Sequence, residues 1–431
     1  MEGPKKISEA EFSRAREEIA AIDEKIAALF EERMKKSSLI ADYKAERGLP
    51  VRDPFRERSL TERNAALIAD EGARAVYPAV EEAVMAASRR LQEDRLFPGS
   101  FVSAGGRVHF MRGGAERLSD FFDTGRKTMI VTDSGVPEKW ISLVASQFPR
   151  HEIFRFPAGE ASKSPETLKA LLGALMEKGF IRSDALLALG GGVVTDLTAF
   201  AAGIWLRGVT CFSLPTTLLA QADAAVGGKC GVDFGKIKNS VGLFRAPETT
   251  LIDPAFLTTL DARQIANGTA EIVKIALTLD AGLFEALEAS GGKVTDEILL
   301  RAVTLKRDTV GKDEKERNGA RRVLNFGHTL GHGIEIAAGR KLLHGEAVAL
   351  GMLPMTAKET EKRLTALYEK IGLPTKADYD PEAAYRAMRH DKKAGENGVT
   401  VVVVGRPGEY AFRTVGDEAL KRLAYGERIK E

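Results

Sequence analysis

Three histidines fall close together late in the sequence: His328, His332 and His344. The first two are four residues apart, a spacing that places both side chains on one face of a helix. Imidazole nitrogens bind zinc and related metals, and a carboxylate completing such a site leaves positions open for catalysis. A lone histidine is more often structural, but this pair with a third histidine nearby predicts a metal site.

A second suggestive segment is the run Gly190-Gly191-Gly192, which follows a buried apolar strand pattern and precedes a helical one. Glycines at such a junction let backbone N–H groups approach a phosphate at the start of a helix. Many tight turns are rich in glycine for other reasons, and this run differs from the usual dinucleotide fingerprint. Taken alone, the segment permits a nucleotide site without requiring one.

The N-terminal region carries cations and amides at helical spacing. Arg33 and Lys44 are eleven residues apart, close to three helical turns, so they share a face at a distance of about 16 Å. Ser88 and Gln92 are four apart and also face one way. Two long cationic side chains could converge on an anion, although solvated helix faces contain such residues too.

The elements that position these N-terminal residues are predicted to be helices only. The first helix extends to Arg47 and ends before a Gly-Leu-Pro stop signal, and the second follows Asp53-Pro54. The third is predicted from Ala79, after Pro78, to about Leu96. So long a first helix needs a partner helix to cover its apolar stripe. That stripe comprises Ile19, Ile22, Ile26, Leu29 and Phe30.

The composition changes at residues 97–106, which predict a linker. Short apolar runs at 128–133, 185–189 and 209–214 then alternate with helical patterns, which favours an α/β region with a mostly parallel sheet. After about Leu260 the pattern is mainly helical, with a late strand at 399–404. The predicted domains are therefore 1–96, 107–260 and 261–431, with the linker after the first.

Composition excludes several classes of protein. The chain has 431 residues and a formal net charge of only +2, which gives no sign of a nucleic-acid or membrane surface. Two cysteines, Cys211 and Cys230, cannot build a disulfide framework. The N-terminus shows no apolar signal-peptide core, and no stretch of about 18 apolar residues exists to span a membrane. We expect a cytoplasmic protein.

The polar set of the N-terminal region, over about residues 10–95, resembles the all-helical chorismate mutase family. The matching positions are Arg16, Asp23, Arg33, Lys44, the segment 51–58, Ser88 and Gln92. The resemblance implies a three-helix fold in which two protomers interlock, with Arg16 reaching the partner's active site. It also implies a pocket lined by Arg33, Lys44, Asp53, Arg56, Glu57, Ser88 and Gln92.

The chemistry of that family explains these residue types. Chorismate is a dianion that rearranges within itself to prephenate, so arginines need only clamp its carboxylates in the reactive conformation. The resemblance implies that Lys44 and Gln92 stabilise the ether oxygen as its bond breaks, and that Glu57 holds a substrate hydroxyl. The alternative is a module that binds a regulatory ligand or dimerises without catalysis.

Residues 107–431 resemble 3-dehydroquinate synthase and its sugar-phosphate cyclase relatives. The segments that carry the resemblance are 157–164, 190–196, 206–208, 215–223, 227–229 and Lys238-Asn239. It implies NAD contacts at Asp133, Glu160, Lys163, Gly191, Gly192, Val193, Asp196, Thr216, Thr217, Leu219 and Thr259. It implies substrate contacts at Asp223, Lys229, Lys238 and Asn239, and Arg207 would reach the neighbouring subunit's substrate phosphate in a dimer.

The same resemblance assigns the histidines. Segments 325–332, 343–346 and 270–274 imply that Glu271, His328 and His344 bind one divalent metal, most simply zinc with cobalt as the alternative. His332 would then contact the substrate instead of the metal. An anion pocket would be completed by Lys274, Lys306, Arg321 and either Lys392 or Lys393.

Together these resemblances predict a bifunctional enzyme of aromatic biosynthesis. One half would convert chorismate to prephenate. The other would convert 3-deoxy-arabino-heptulosonate 7-phosphate to 3-dehydroquinate and phosphate, with NAD and a metal. One alternative is a synthase whose mutase-like part is a regulatory or dimerisation module. A second is a relative that cyclises a sugar phosphate lacking the carboxylate, against which Lys306, Arg321 and His332 argue.

Overall fold

A computed structural model describes residues 7–47, 51, 53–96, 99–235, 237–339, 341–390, 394–395 and 398–429. The chain divides into two compact units, Met1–Ser100 and Phe101–Glu431. We name them the helical unit and the mixed unit. No helix among the described residues has the length and apolar character needed to cross a bilayer.

The helical unit contains α1 (Glu9–Arg47), α2 (Pro54–Ala65) and α3 (Glu71–Leu96). Acidic side chains in the first turn of α1 and basic ones in its last turn complement the helix dipole. Asp53 caps α2 by accepting the backbone N–H of Arg56 at 3.0 Å. The predicted three-helix architecture is confirmed.

The predicted start of the third helix at Ala79 is wrong. The helix starts at Glu71, and Pro78 lies inside it. The reason is an earlier cap, because Asp70 Oδ1 accepts the backbone N–H of Ala73 at 2.7 Å and so starts the helix before the proline. The missing N–H of Pro78 removes one helical hydrogen bond without ending the helix.

Much of the apolar surface of α1 is uncovered in a single chain. The stripe residues Ile19 and Leu29 are 57% and 66% exposed. Among the described residues of this unit, the buried apolar side chains are Ala41, Val51 and Met85. A core this small cannot supply the usual stability of a domain by itself.

The mixed unit is built on a seven-stranded sheet, ordered β1-β2-β9-β6-β5-β3-β4. Its strands are β1 (Phe101–Ser103), β2 (Gly106–Phe110), β3 (Thr128–Asp133), β4 (His151–Phe156), β5 (Ala185–Gly190), β6 (Thr210–Pro215) and β9 (Thr249–Ile252). All neighbours pair in parallel except β1 with β2. β3, β5 and β6 are buried along their whole length, as parallel strands covered on both faces require.

Helices and a hairpin accompany this sheet. They are α4 (Glu138–Ala145), α5 (Pro165–Glu177), α6 (Gly192–Ile204) and the antiparallel pair β7 (Lys229–Phe234) with β8 (Ile237–Phe244). Cys211 on β6 and Cys230 on β7 are buried free thiols. Residues 101–106, which the predicted linker included, contain β1 and the first residue of β2, because Phe101–Ser103 pairs with Gly106–Val108 as a hairpin.

The rest of the mixed unit is mainly helical, as predicted. Its helices are α7 (Ala262–Leu279), α8 (Ala281–Ala289), α9 (Asp296–Gly311), α10 (His328–Ala337), α11 (His344–Met352), α12 (Lys358–Ile371), α13 (Pro381–His390) and α14 (Asp417–Ala424). A small antiparallel sheet combines β10 (Ala394–Gly395), β11 (Gly398–Val404) and β12 (Tyr410–Val415). One apolar core joins these helices to β2 and β9.

Candidate functional sites

A cavity of about 250 Å³ lies between the three helices of the helical unit. Seven of the predicted residues line it: Arg33, Lys44, Asp53, Arg56, Glu57, Ser88 and Gln92. They come from α1, from α2 with its cap, and from α3, so the fold alone brings them together. Three of the seven are cations, and Lys36 and Arg89 also line the cavity, a set that suits a compact ligand with more than one negative charge.

The cavity wall contains polar atoms held in place by hydrogen bonds. Lys44 Nζ donates to the Val51 carbonyl at 2.5 Å, and partial burial lowers the pKa of Lys44 against the opposing effect of the Asp53 carboxylate. Ser88 Oγ contacts Ser37 Oγ at 2.5 Å and accepts from Gln92 Nε2 at 3.3 Å. Gln92 Oε1 is buried with no hydrogen-bond partner among the described residues, so this acceptor is unsatisfied by the protein.

Two residues of the predicted mutase set differ from the rest. Arg16 does not line the cavity; it is exposed on α1, with its guanidinium 5.7 Å from the Phe12 ring. Glu57 does line it, but the carboxylate pairs with Arg89 Nη1 at 2.8 Å. Sequence reasoning missed Arg89, and its only signal was its place beside Ser88 on a cavity-lining helix.

In the mixed unit, predicted residues gather at the carboxyl ends of three adjacent strands. Asp133 ends β3, Gly191 follows β5, and Thr216 follows β6. The chain runs from β3 to β4 on one side and returns to β5 on the other, so the strand order reverses there. In open parallel sheets such a reversal creates the crevice that holds a nucleotide.

The glycines of this crevice leave little room for side chains. A Cβ on Gly190 would lie 2.5 Å from Val194 Cγ2, and one on Gly191 would lie 3.2 Å from Thr217 Cγ2. Gly191 is the N-cap of α6 and offers no side-chain cap, so backbone N–H groups of its first turn face a phosphate position. The predicted glycine-lined helix start therefore has the form that a dinucleotide needs.

The other predicted NAD contacts surround this crevice or lie on neighbouring elements. Lys163 Nζ forms an ion pair with Asp196 on α6 at 2.5 Å. Burial raises the pKa of the Asp133 carboxyl, although two backbone N–H groups that donate to it have the opposite effect. Thr259 accepts a hydrogen bond from Trp140 Nε1 at 2.8 Å. The remaining four are Glu160 in the turn after β4, Gly192 and Val193 in the first turn of α6, and Leu219 before the short π-helix 220–224.

Three helices converge on a buried carboxylate. Glu271 on α7 is fully buried, and its Oε1 lies 3.6 Å from His328 Nε2 on α10 and 3.3 Å from His344 Nε2 on α11. His328 Nδ1 lies 3.1 Å from the Phe326 carbonyl, so its N–H donates there and Nε2 keeps its lone pair toward Glu271. Neither Glu271 oxygen accepts a hydrogen bond of regular geometry from the described residues.

The groups around this carboxylate keep it ionised. Burial alone would raise the pKa of Glu271, but Lys274, whose Nζ lies 2.5 Å from Oε2, and the two histidines hold it well below the usual value. Burial also lowers the pKa of His328, which keeps that imidazole neutral. A neutral imidazole, a carboxylate and a second imidazole form a donor set suited to zinc.

Because His332 lies near the other two histidines, two different sets of three metal ligands are possible. Nitrogens of His328, His332 and His344 also lie within 4.8 Å of one another. Glu271 is the fully buried member of these four side chains, whereas the three histidines are partly exposed. All four side chains lie together, so the geometry alone admits both sets.

A cluster of opposite charges adjoins the metal set. Asp223 Oδ1 lies 2.7 Å from Lys306 Nζ and 3.7 Å from Lys274 Nζ. Burial would raise the pKa of Asp223, but these two ammonium groups lower it to about 2. Burial lowers the pKa of Lys306 to about 8 although Asp223 opposes that shift. The four charged groups of Glu271, Lys274, Asp223 and Lys306 thus form one chain from the metal set outward.

This row of charged groups borders a cavity of about 500 Å³. Six predicted residues line it: Asp196, Asp223, Lys229, Asn239, Lys306 and Arg321. Arg321 is buried and donates to the carbonyls of Gly227 and Glu314 at 3.1 Å each. The cavity therefore joins the crevice residue Asp196 to a concentration of cations, as an anionic sugar-like substrate beside a nucleotide would require.

Comparison with known proteins agrees with this geometry. Residues 153–267 match the family described as 3-dehydroquinate synthase N-terminal, and residues 268–394 match 3-dehydroquinate synthase C-terminal. The 3-dehydroquinate synthase of Streptococcus suis is 37% identical over 316 residues, which is 68% of this chain and 89% of the relative. The corresponding protein of Nostoc punctiforme is 43% identical over 319 residues, 68% and 87%.

The chain belongs to the 3-dehydroquinate synthase family. Its residues 15–93 match a further family, chorismate mutase type II. Among solved structures, a 2-epi-5-epi-valiolone synthase from Streptomyces hygroscopicus with bound NAD⁺ and Zn²⁺ is 28% identical, with a TM-score of 0.68. The alignment covers 75% of this chain and 97% of that one. A 2-deoxy-scyllo-inosose synthase at 23% identity and a TM-score of 0.69 shares the fold.

Ile237 directly precedes Lys238 in the sequence. Ile237 is exposed on β8, and Lys238 Nζ still reaches Glu160 at 3.4 Å and Glu335 at 2.5 Å. Asn239 adopts a left-handed conformation with φ of 51°, which asparagine tolerates. The exposed Ile237 is therefore compatible with both ion pairs of Lys238.

The remaining predicted synthase residues have different outcomes. Arg207 is exposed in a left-handed turn with φ of 65° and does not line the cavity. Lys392 and Lys393 lie outside the described residues. Sequence reasoning missed Glu316, which pairs with Lys229 Nζ at 2.5 Å, and Glu335. The helical spacing of Glu335 with His328 and His332 was the available signal.

Proposed function

We propose that the chain carries two active sites. The helical unit would rearrange chorismate to prephenate, and the mixed unit would convert 3-deoxy-arabino-heptulosonate 7-phosphate to 3-dehydroquinate and phosphate. The observation that supports the second activity most strongly is the buried cluster of Glu271, His328 and His344 beside a cation-lined cavity. The relatives named 3-dehydroquinate synthase support the same reaction.

For the mutase, the proposal needs binding groups only. Arg33 and Arg56 would clamp the two carboxylates of chorismate in the folded conformation from which the bond rearranges. Lys44 and Gln92 would face the ether oxygen, where negative charge grows in the transition state. Glu57 would accept a substrate hydroxyl, which requires its carboxylate to share or release Arg89.

For the synthase, we assign the metal to Glu271, His328 and His344, and NAD to the strand-end crevice. When bound, a zinc or cobalt ion acts as a Lewis acid toward substrate hydroxyls, and NAD⁺ as a temporary hydride acceptor. Bound NAD⁺ with Zn²⁺ in the valiolone synthase supports this assignment. The glycine-lined start of α6 and the exposed face of Gly191 would hold the pyrophosphate.

The protein's own residues would hold the substrate's two anionic groups. Lys229, Lys306 and Arg321 line the cavity, and together with Lys274 they supply four cations for a phosphate and a carboxylate. Asp223 keeps Lys306 and Lys274 in position in the absence of substrate. His332, beside His328 with ring centroids 5.3 Å apart, would contact a substrate group and leave the metal to its neighbours.

We also propose that the protein acts as a homo-oligomer, at least a dimer, in the cytoplasm. The uncovered stripe of α1 supports pairing through the helical unit, and Arg16 on the same helix would then reach the partner's cavity. Arg207, exposed on its turn, would do the same for the synthase site of a second copy. Mass measurement in solution tests this, since a monomer would leave both arginines far from any substrate.

The test of the two activities is an assay of the purified full chain with each substrate. Prephenate formation from chorismate and phosphate release from the heptulosonate phosphate should both be observed. Phosphate release without prephenate formation would favour the alternative, a helical unit that only binds ligands or dimerises. Turnover of a sugar phosphate without the carboxylate, and none of the heptulosonate phosphate, would favour the other alternative.

A further inference from the structure

Glu335 is a buried carboxylate that the scheme above does not use. It lies on α10, seven residues after His328 and three after His332, so the three side chains share one helix face. The residue is only 6% exposed. Burying a carboxylate costs free energy unless its oxygens find cationic or hydrogen-bonding partners.

Each Glu335 oxygen faces a different partner. Oε1 accepts a hydrogen bond from Lys238 Nζ at 2.5 Å, and Oε2 lies 3.6 Å from His344 Nδ1. The other nitrogen of the same imidazole, Nε2, lies 3.3 Å from Glu271 Oε1. The ring of His344 is therefore held between two carboxylates, one at each nitrogen.

The hydrogen bonding of Glu335 Oε2 indicates which group it can accept from. It is buried and accepts no hydrogen bond from any described residue, so its lone pairs remain available to the N–H at Nδ1. Histidines that bind metals commonly give their second N–H to a carboxylate, which fixes both the tautomer and the orientation of the ring. Lys238 needs only Oε1, so the ion pair alone does not explain where Oε2 lies.

We propose that Glu335 is a positioning residue that holds the Nδ1–H of His344 and turns Nε2 toward the metal site, an inference that rests on the metal assignment above. Through Oε1 the same carboxylate fixes Lys238, whose Nζ also lies 3.4 Å from Glu160 in the turn after β4. One side chain thus links a proposed metal ligand to a proposed substrate contact.

The competing explanation is that Glu335 only neutralises a buried lysine. The chain contains a similar pair for comparison: Asp196 lies 2.5 Å from a buried lysine, Lys163, and among the described residues no hydrogen bond or ion pair joins Asp196 to a histidine. Glu335→Gln and Asp196→Asn each remove one negative charge from a lysine pair. Only the first also removes a carboxylate from His344.

The experiment measures zinc affinity of the full chain without NAD, by competition with a chromophoric chelator, and records the visible spectrum of the Co²⁺-loaded protein. Glu335→Gln should weaken zinc binding roughly 10- to 100-fold and change the Co²⁺ spectrum. Asp196→Asn should keep wild-type zinc affinity and an unchanged spectrum. These readouts do not depend on turnover.

Wild-type zinc affinity and an unchanged spectrum in folded Glu335→Gln would overturn the proposal, as would equal losses in both variants. If circular dichroism shows that Glu335→Gln does not fold, Glu335→Asp decides, because it keeps the charge for Lys238 but retracts the carboxylate from His344. Undiminished zinc affinity there also overturns the proposal. A wild-type protein that binds no zinc would instead refute the metal assignment itself.

Discussion

The two cavities of this protein are lined by cations that are held in different ways. In the helical unit the cations Arg33, Lys44 and Arg56 line a small cavity within a unit that has little buried core. In the mixed unit Lys274, Lys306 and Arg321 are buried, and acidic partners such as Asp223 compensate them. An internal rearrangement needs only a clamp of the right shape, whereas chemistry at a metal needs charges that are held in place before the substrate arrives.

The two units also differ in how they bury apolar surface. The mixed unit encloses a core that joins its helices to β2 and β9. In the helical unit, Ile19 and Leu29 of the long first helix remain exposed in one chain. At about 25 cal/mol per Å² of apolar area, covering such a stripe by a second copy would contribute several kcal/mol. A single chain therefore leaves an apolar stripe of the helical unit uncovered.

The largest expected effect comes from a change in the proposed metal ligands, which should reduce the activity of the mixed unit alone. Glu271→Gln should lower phosphate release by roughly 10³-fold or more, because a neutral amide replaces the one carboxylate of the donor set. Prephenate formation should be unchanged. Asp280→Asn, which alters a carboxylate paired with Arg301 at the start of α8, is the control and should retain both activities. Full phosphate release by metal-loaded Glu271→Gln would remove Glu271 from the site.

A change in the helical unit should have the opposite result and reduce only the conversion of chorismate. Arg33→Ala should lower kcat/KM for chorismate by roughly 10²-fold or more, since a charge-assisted contact to a carboxylate is lost. Phosphate release should change little. Arg63→Ala, an exposed arginine in the last turn of α2, serves as control and should behave like the wild type in both assays. Near-normal turnover in Arg33→Ala would place the clamp elsewhere.

A smaller effect decides between the two possible ligand sets. His332→Ala should lower phosphate release by about 10- to 100-fold, the range expected for one charged or polar substrate contact, while the purified protein keeps its metal. Lys229→Ala should likewise reduce activity and retain metal, whereas His328→Ala should lose it. Elemental analysis of the three purified variants is the measurement. Metal-free His332→Ala would support the set of three histidines.

The smallest expected effect is a pH dependence. Burial lowers the pKa of Lys306 to about 8, so its ammonium form is present below that pH and is lost as the pH rises. Because the ammonium form binds the substrate's anions, kcat/KM for phosphate release should fall up to about tenfold per pH unit above the pKa. Lys306→Arg stays charged over this range and should flatten the decline. The same decline in both proteins would assign it to another group.

Sequence patterns predicted the parts of this molecule that depend on local residues. The long first helix extends to Arg47, as the Gly-Leu-Pro stop signal after it predicted, and the glycine run starts α6. The predicted start of α3 after Pro78 was wrong, because the helix begins at the Asp70 cap and continues through the proline. A buried strand such as β5 is recognisable by its continuous apolar run, whereas β4 mixes charged and apolar residues, is partly exposed and was not predicted.

The site residues that were missed depend on pairings between distant parts of the chain. Glu335 and Lys238 are 97 positions apart, and Lys229 and Glu316 are 87 apart. No local sequence pattern predicts pairs so far apart. A family motif can therefore include the predicted ligand residues and still omit the residues that pair with them. Arg89 was missed for the same reason, because its partner Glu57 is 32 positions away on another helix.

The most direct test of two independent sites, of which one uses a metal, is a paired assay of the full chain before and after chelation. Treatment with a strong chelator should abolish phosphate release from the heptulosonate phosphate, and added Zn²⁺ or Co²⁺ should restore it. The rate of prephenate formation should stay unchanged throughout. Loss of both activities while circular dichroism shows an intact fold, or phosphate release by metal-free protein, would contradict the account.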